Sequence, residues 1–306
     1  MLIENPSKIP EWLMSELVQE PRRKKPERMS TTDLIHTPRM RSLYIERFDD
    51  IVVDASTYFQ MWYGNLLDKA FDDDENAQNK MEIDIDGMTL VDSKAVNVGK
   101  VTCLVGKWDC MREGIIQDYK FTGVGVTKYE SRMDEYAAQL NIYDYLNNTL
   151  NFERAKGLEN HFFYKDWSPV LASFDKSYPQ CAWQCYKQPQ WSEQEQHRYI
   201  LERLKYHKEQ PYDCPESERW SSFAIKRKGQ KKAVIASVPG SKGKIPIKTE
   251  AHAKEIIKQK GLQDEFSGGN LYIENRLGLR CRFFCGVSSV CPDSPNCIAK
   301  FKGKEL

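Results

Sequence analysis

Apolar residues recur at two periods along the chain, and the period predicts the element type. Helical spacing behind Ser/Thr caps runs through "STTDLIHTPRMRSLYIERF" (30–48), and again through "DASTYFQMWYGNLLDKAF" (54–71). An acidic loop follows, then "KMEIDIDGMTLVD" (80–92), which reads as a hairpin turning at Asp86-Gly87. "KVTCLVGKWDC" (100–110) and "GIIQDYKF" (114–121) read as the next strand pair. Residues 131–150 predict an amphipathic helix with Ala137, Leu140, Ile142, Tyr143 and Leu146 along one stripe. "NHFFYKDW" (160–167) and "QCAWQCYKQPQW" (180–191) predict strands, and 192–210 a helix. The C-terminal part begins with a basic hairpin at 221–238 and a helix at 249–261, and ends in a cysteine-rich tail.

Helices, a run of strands, a helix and more strands, without an internal repeat, predict an α/β (α+β) fold around a mixed central β-sheet flanked by helices. Residues 1–30, with "PRRKKPER" among prolines, read as an extended leader, 31–210 as the core domain, and 211–306 as a small basic Cys-rich C-terminal unit. Composition agrees with a globular chain: 40% hydrophobic and 29% charged over 306 residues. No run reaches the roughly 18 apolar residues a spanning helix needs, so no membrane partner is expected. The N-terminus lacks the pattern of a secretion signal, which makes a cytoplasmic location the expectation. The net charge of +1 conceals an asymmetry, with 17 Lys and Arg against 7 Asp and Glu in 221–306, and 28 against 37 in 1–220. That polarity fits a C-terminal part that meets polyanions and an N-terminal part that holds cations.

The stretch 100–123 carries the chemistry. Asp109 and Asp118 stand nine apart, with Lys120 two after the second, inside otherwise apolar runs. Buried charge is costly unless paired or bound to a metal, so the set closes a strand-borne ion pair or builds a cation site. Two carboxylates can hold a divalent cation that binds a phosphodiester and lowers the pKa of a water. Lys120 shares the strand face of Asp118, because side chains alternate. Gln139 and Tyr143, i and i+4 on the predicted helix, can reach the same phosphate or the lysine.

"GKWD…DYK" followed by "QLNIYDYL" resembles the sequence motifs of the PD-(D/E)XK nuclease superfamily, in its RecB-like branch of phage-type and CRISPR-associated exonucleases. Other stretches fit in order: "GNLLDKAF", "YKDWS", "CPESERW", "KRKGQKKA" and "YIENRLGLRCRFFC". The resemblance spans roughly residues 30–295. It implies a restriction-endonuclease-like core and a Mg²⁺- or Mn²⁺-dependent deoxyribonuclease, with exonuclease action on DNA ends or single strands expected and a recombination or annealing protein as partner. It assigns Asp109 and Asp118 as metal ligands, Lys120 as the catalytic lysine, and Gln139 and Tyr143 to the fourth motif. The family carries a histidine ligand where this chain has Asp68, a departure that leaves metal preference open. Glu46 is a second-rank candidate. The rival readings on the same scaffold are a catalytically silent DNA-binding protein and an RNA-directed phosphodiesterase.

Nine cysteines without a secretion signal argue for thiols or metal ligands rather than a disulfide framework. Cys281, Cys285 and Cys291 follow C-x3-C-x5-C spacing, which fits a [4Fe-4S] cluster or Zn²⁺, the alternative being reduced thiols in a turn-rich tail with no metal. The fourth ligand is Cys214, which the resemblance favours, or Cys297. Cys181 and Cys185 are expected on one strand face, packed in the core. Lys226–Lys232 on the basic hairpin form a phosphate clamp, with Trp220 and Phe223 either stacking on bases or filling that unit's core.

Overall fold

The computed structural model describes the chain apart from residues 19–20, 71–79, 86–100, 129, 152, 216–218, 220–221, 231, 241–242, 248, 277–279, 282–284 and 295–306. Within elements, the side chains of 60, 67–70, 127–128, 130–131, 238–240, 243–246 and 275–276 are also outside the description. The Asp86-Gly87 turn, Trp220 and Cys297 therefore lie outside the described residues, as does the side chain of Asp68. Two compact units divide the chain: residues 3–41 with 53–211, and residues 1–2, 42–52 and 212–306. Among the described residues no helix is long and apolar enough to cross a membrane.

The larger unit is a mixed α/β assembly of two sheets. Strands β1 (Arg28–Ser30), β2 (Lys80–Asp84) and β3 (Cys103–Lys107) form one, in the order β1-β3-β2. Here β1 runs parallel and β2 antiparallel to β3. Strands β4 (Cys110–Arg112), β5 (Ile115–Thr122), β6 (Gly157–Tyr164) and β7 (Trp183–Gln188) form the second in sequential order. Its central pair, β5 and β6, is parallel and the outer pairs are antiparallel. The predicted pairing of 100–110 with 114–121 is thereby corrected. The chain leaves one sheet at Lys107 and enters the other at Cys110, so Trp108 and Asp109 sit at the crossing. The predicted leader is also corrected over part of its length, since β1 lies within residues 1–30 and Glu11–Leu17 is helical.

The expected first helix is interrupted. It splits into α1 (Thr31–Ile35) and a second helix, Pro38–Glu46. Proline disfavours helical backbone in the residue before it, which places the break at His36–Thr37. Arg203 compensates by donating to the carbonyls of Leu34, Ile35 and His36 at 2.8, 2.7 and 2.6 Å, which satisfies the frayed end. Helix α2 (Tyr58–Ala70) follows. The long helix α3 (Glu130–Asn151) packs against α1 and both sheets, and α4 (Glu193–Glu209), started by a Ser192/Glu195 capping box, packs on it.

The core of this unit gathers Met29, Leu34, Met81, Ile83, Leu104, Trp108, Ile116, Leu140, Tyr143, Leu146, Leu158, Ile200 and Leu204. Gly106 is required there. A Cβ at this position would stand 2.5 Å from Leu146 Cδ1 and 3.0 Å from Tyr143 Cδ1, so β3 approaches α3 only without a side chain. Asp144, fully buried on α3, accepts from Arg154, Gln190, Gln196 and the Ala155 backbone N–H, which satisfies its charge and ties α3 to the loops beyond it.

The smaller unit pairs β8 (Ser222–Arg227) antiparallel with β11 (Leu271–Arg276), and β9 (Ser237–Gly240) with β10 (Gly243–Pro246). The expected 221–238 hairpin is corrected accordingly, because β8 takes a distant partner and meets 235 only through one bridge. Helix α5 (Glu250–Gln259) buries Ala253, Ile256 and Ile257 against Phe223, Ile225 and Leu271.

Candidate active site

Strand β5 sets the site through its alternation. Ile116 and Asp118 face inward, 0% and 2% exposed, while Gln117 and Tyr119 face the other way, half-buried. Lys120 follows Asp118 on the same face, its side chain 21% exposed and its Nζ 2.8 Å from Asp118 Oδ1 and 2.6 Å from Oδ2. The same ammonium donates to Gln139 Oε1 at 3.1 Å, and Gln139 Nε2 donates to Tyr143 OH at 2.7 Å. Helical i, i+4 spacing on α3 is what sets Tyr143 beside Gln139, which reaches the lysine. Asp109 reaches back from the sheet crossing, its Oδ2 accepting the Tyr119 backbone N–H at 2.7 Å.

The electrostatics bind these groups into one cluster. Burial by itself would lower the Lys120 ammonium. The Asp118 and Asp109 carboxylates outweigh it and hold its pKa above the ordinary lysine range. Burial, with the charges of Asp118 and Asp109, likewise pushes the Tyr143 phenol up, so it stays neutral. Asp109 and Asp118 thus both act on Lys120 and on Tyr143. The Lys120 ammonium also lies 5.4 Å from the centre of the Tyr136 ring, whose face favours a cation.

Asn160 and Gln188 escaped the sequence reading. Asn160, fully buried on β6 directly opposite Asp118, donates to Asp118 Oδ2 at 2.9 Å, and Gln188 Nε2 donates to Asn160 Oδ1 at 2.8 Å. The signal available was faint: an amide at the buried parity of "ENHFFY", where the pattern otherwise places Leu158, Phe162 and Tyr164. Asp68 belongs to α2, which lies along β5 with the Tyr63 ring 5.2 Å from Phe121. Glu46 belongs to the smaller unit, where it accepts from Tyr212 at 2.5 Å.

In the smaller unit, Cys214, Cys281, Cys285 and Cys291 come within range of one another's charge. Burial raises the Cys281 thiol, with Cys214 and Cys291 adding to it. Burial also pushes Cys285 to about 11, reinforced by Cys291, Cys281 and Cys214. Arg219 fastens the arrangement by donating to the Cys214 carbonyl at 2.7 Å and to Asp293 at 3.1 Å. Among the described residues no three of these sulfurs lie mutually within 4.8 Å, so the four thiols lie near one another without the spacing of a closed metal site.

Two expectations are corrected. Cys181 is exposed ahead of β7 rather than in the core, and Cys185 is half-buried on β7, because the strand starts only at Trp183. The clamp is also reduced, since Lys226 pairs with Glu274 at 2.8 Å and Arg227 with Glu265 at 2.7 Å. Phe223 belongs to the unit's core.

No family model matches the chain, and no curated protein matches it. Among solved structures, one described as the crystal structure of SSO0001 is similar, at 16% identity and TM-score 0.42, over 63% of this chain and 84% of that one.

Proposed function

We propose that the chain is a metal-dependent deoxyribonuclease of the PD-(D/E)XK type, RecB-like branch, acting on DNA ends. One observation carries the reading: Asp109, Asp118, Lys120, Gln139 and Tyr143, separated by up to 34 residues in sequence, meet in one linked cluster. The donor set fits a hard cation, with two carboxylates and the Asp68-bearing helix alongside. Asp109 and Asp118 would hold Mg²⁺ or Mn²⁺, with Asp68 as third ligand. When bound, such an ion lowers the pKa of a water and offsets charge on the phosphoryl group.

The remaining residues have roles set by their protonation. A lysine held above its usual pKa is a poor base but a permanent cation. Lys120 therefore orients the attacking water and stabilises a phosphate oxygen as negative charge builds. Gln139, braced by Tyr143, aims the ammonium. Asn160 keeps Asp118 turned toward the lysine instead of the apolar core. In-line attack releases a 5′-phosphate, as the family resemblance implies. The four thiols would hold a [4Fe-4S] cluster or Zn²⁺, with Cys214 as the fourth ligand. Lys228 and Lys232 would contribute to DNA contacts in the smaller unit.

The test is a panel of linear and circular, single- and double-stranded DNA, and RNA, each with Mg²⁺, Mn²⁺ or EDTA. Degradation of linear DNA that stops with EDTA and with Asp118→Ala is the expected result. Activity on RNA alone would reassign the substrate. Absence of cleavage in every metal, with DNA still bound, would identify a silent DNA-binding protein.

A further inference from the structure

Glu159, His161 and Cys185 form a second cluster, on the face of the β5–β6–β7 sheet opposite Asp118. Glu159 and His161 are i and i+2 on β6, and Cys185 is the direct cross-strand partner of His161 on β7. Their ligand atoms all lie within 4.8 Å of one another. His161 Nε2 stands 3.3 Å from Glu159 Oε2, with both side chains about 15% exposed or less. The imidazole is held on either side by rings, Tyr119 edge-on at 5.5 Å and Trp183 at 5.6 Å, which fixes its direction.

We propose that Glu159, His161 and Cys185 form a binding site for one zinc-class divalent ion, distinct from the Asp109/Asp118 site and from the four-thiol set. The donors decide the class. One carboxylate, one imidazole and one thiolate match the three protein ligands of an open tetrahedral zinc site, whereas Mg²⁺ takes oxygen. A tetrahedral ion with such ligands requires donor separations of roughly 3.3–3.8 Å, which the existing spacing meets with small side-chain adjustments. In the metal-free state the Cys185 thiol is held protonated, up to about 11, by burial and by its hydrogen bond to Glu159. Binding would release that proton to solvent and leave Glu159 free to ligate. Lys187, the neighbour of Glu159 across the strands, is exposed, so its charge is screened by water. A bound ion would cross-link β6 to β7 at the step beside Asn160 and steady β6, whose Asn160 donates to Asp118 on β5.

Alkylation of Cys185 in the full-length wild-type protein tests the site. Tryptic peptide 177–187 contains both Cys185 and the exposed Cys181, so one fragment spectrum reads the candidate and its control. Zn²⁺ at about three equivalents per chain, enough to fill the four-thiol set as well, is expected to slow iodoacetamide modification of Cys185 at least about tenfold, as ligation occupies the sulfur, with Cys181 unchanged and Mg²⁺ without effect. Protection should vanish in His161→Gln and in the near-isosteric Glu159→Gln, each checked for unchanged circular dichroism. Equal Cys185 rates with and without zinc in the wild type would overturn the proposal. So would protection that survives both substitutions.

Discussion

Asn160 donates its side-chain amide to Asp118 Oδ2 across the parallel β5–β6 pair, at 2.9 Å and with both residues all but excluded from solvent. The carboxylate is therefore aimed from a neighbouring strand, and the amide is itself held by Gln188 from the next. Asn160→Ala should lower metal affinity or turnover by about 10–100-fold, the usual effect of losing a ligand's outer hydrogen bond. Mg²⁺ titrations of DNA cleavage give the affinity. An unchanged half-saturation and rate would mean that Asp118 keeps its direction without the amide.

Lys120 is bonded to both Asp118 and Gln139, and its ammonium is held above the ordinary range. Lys120→Met should cost about 10²–10³ in kcat, the typical loss for one preorganised electrostatic donor, while DNA binding changes little. On the proposed function the lysine acts as a cation, so the alkaline limb of the kcat profile should not begin below pH ~10.5, the ordinary lysine value. A rate that instead falls as the pH drops through neutrality, with no activity recovered by Lys120→Arg, would make it a base.

Gly106 lies directly beneath α3, where a methyl group would collide with Leu146 and crowd Tyr143. Gly106→Ala should destabilise the fold by about 1–3 kcal/mol, the range for overpacking a dense core. It should also disturb the Gln139–Tyr143 pair. Urea denaturation read by circular dichroism supplies the stability, and a midpoint equal to wild type would show that α3 yields freely.

His207, buried on α4 against the Leu34 carbonyl, is driven down to about 4 by burial and by the nearby Arg203 charge. The unfolded chain binds a proton near pH 6.5 that the folded chain refuses until about pH 4. Stability should therefore fall as pH drops through that window, by up to about 3 kcal/mol at its foot. His207→Gln should remove this dependence. Denaturant midpoints at pH 7, 5.5 and 4.5 that decline in parallel for the two proteins would assign the acid sensitivity to other groups.

Much of this was legible in the chain. Period-two alternation located β5 and put Asp118 and Lys120 on one face, and helical spacing put Gln139 above Tyr143, because both are local consequences of backbone geometry. Trp108 and Asp109 mark the limit of that reading. Their run looks like one continuous strand, yet the chain changes sheets there, since pairing partners are chosen by distant segments at 28–30 and 157–164.

The same division holds for polar residues. Residue type and spacing along the chain determined which carboxylates and thiols were worth suspecting. The fold alone decided that Asn160 would meet Asp118, that Cys185 would face His161 and Glu159 instead of the core, and that Lys226 and Arg227 would be matched by acids. Register between strands is a tertiary property. A shift of one residue reverses the face of every side chain, and the packing that selects the register involves residues far apart in sequence.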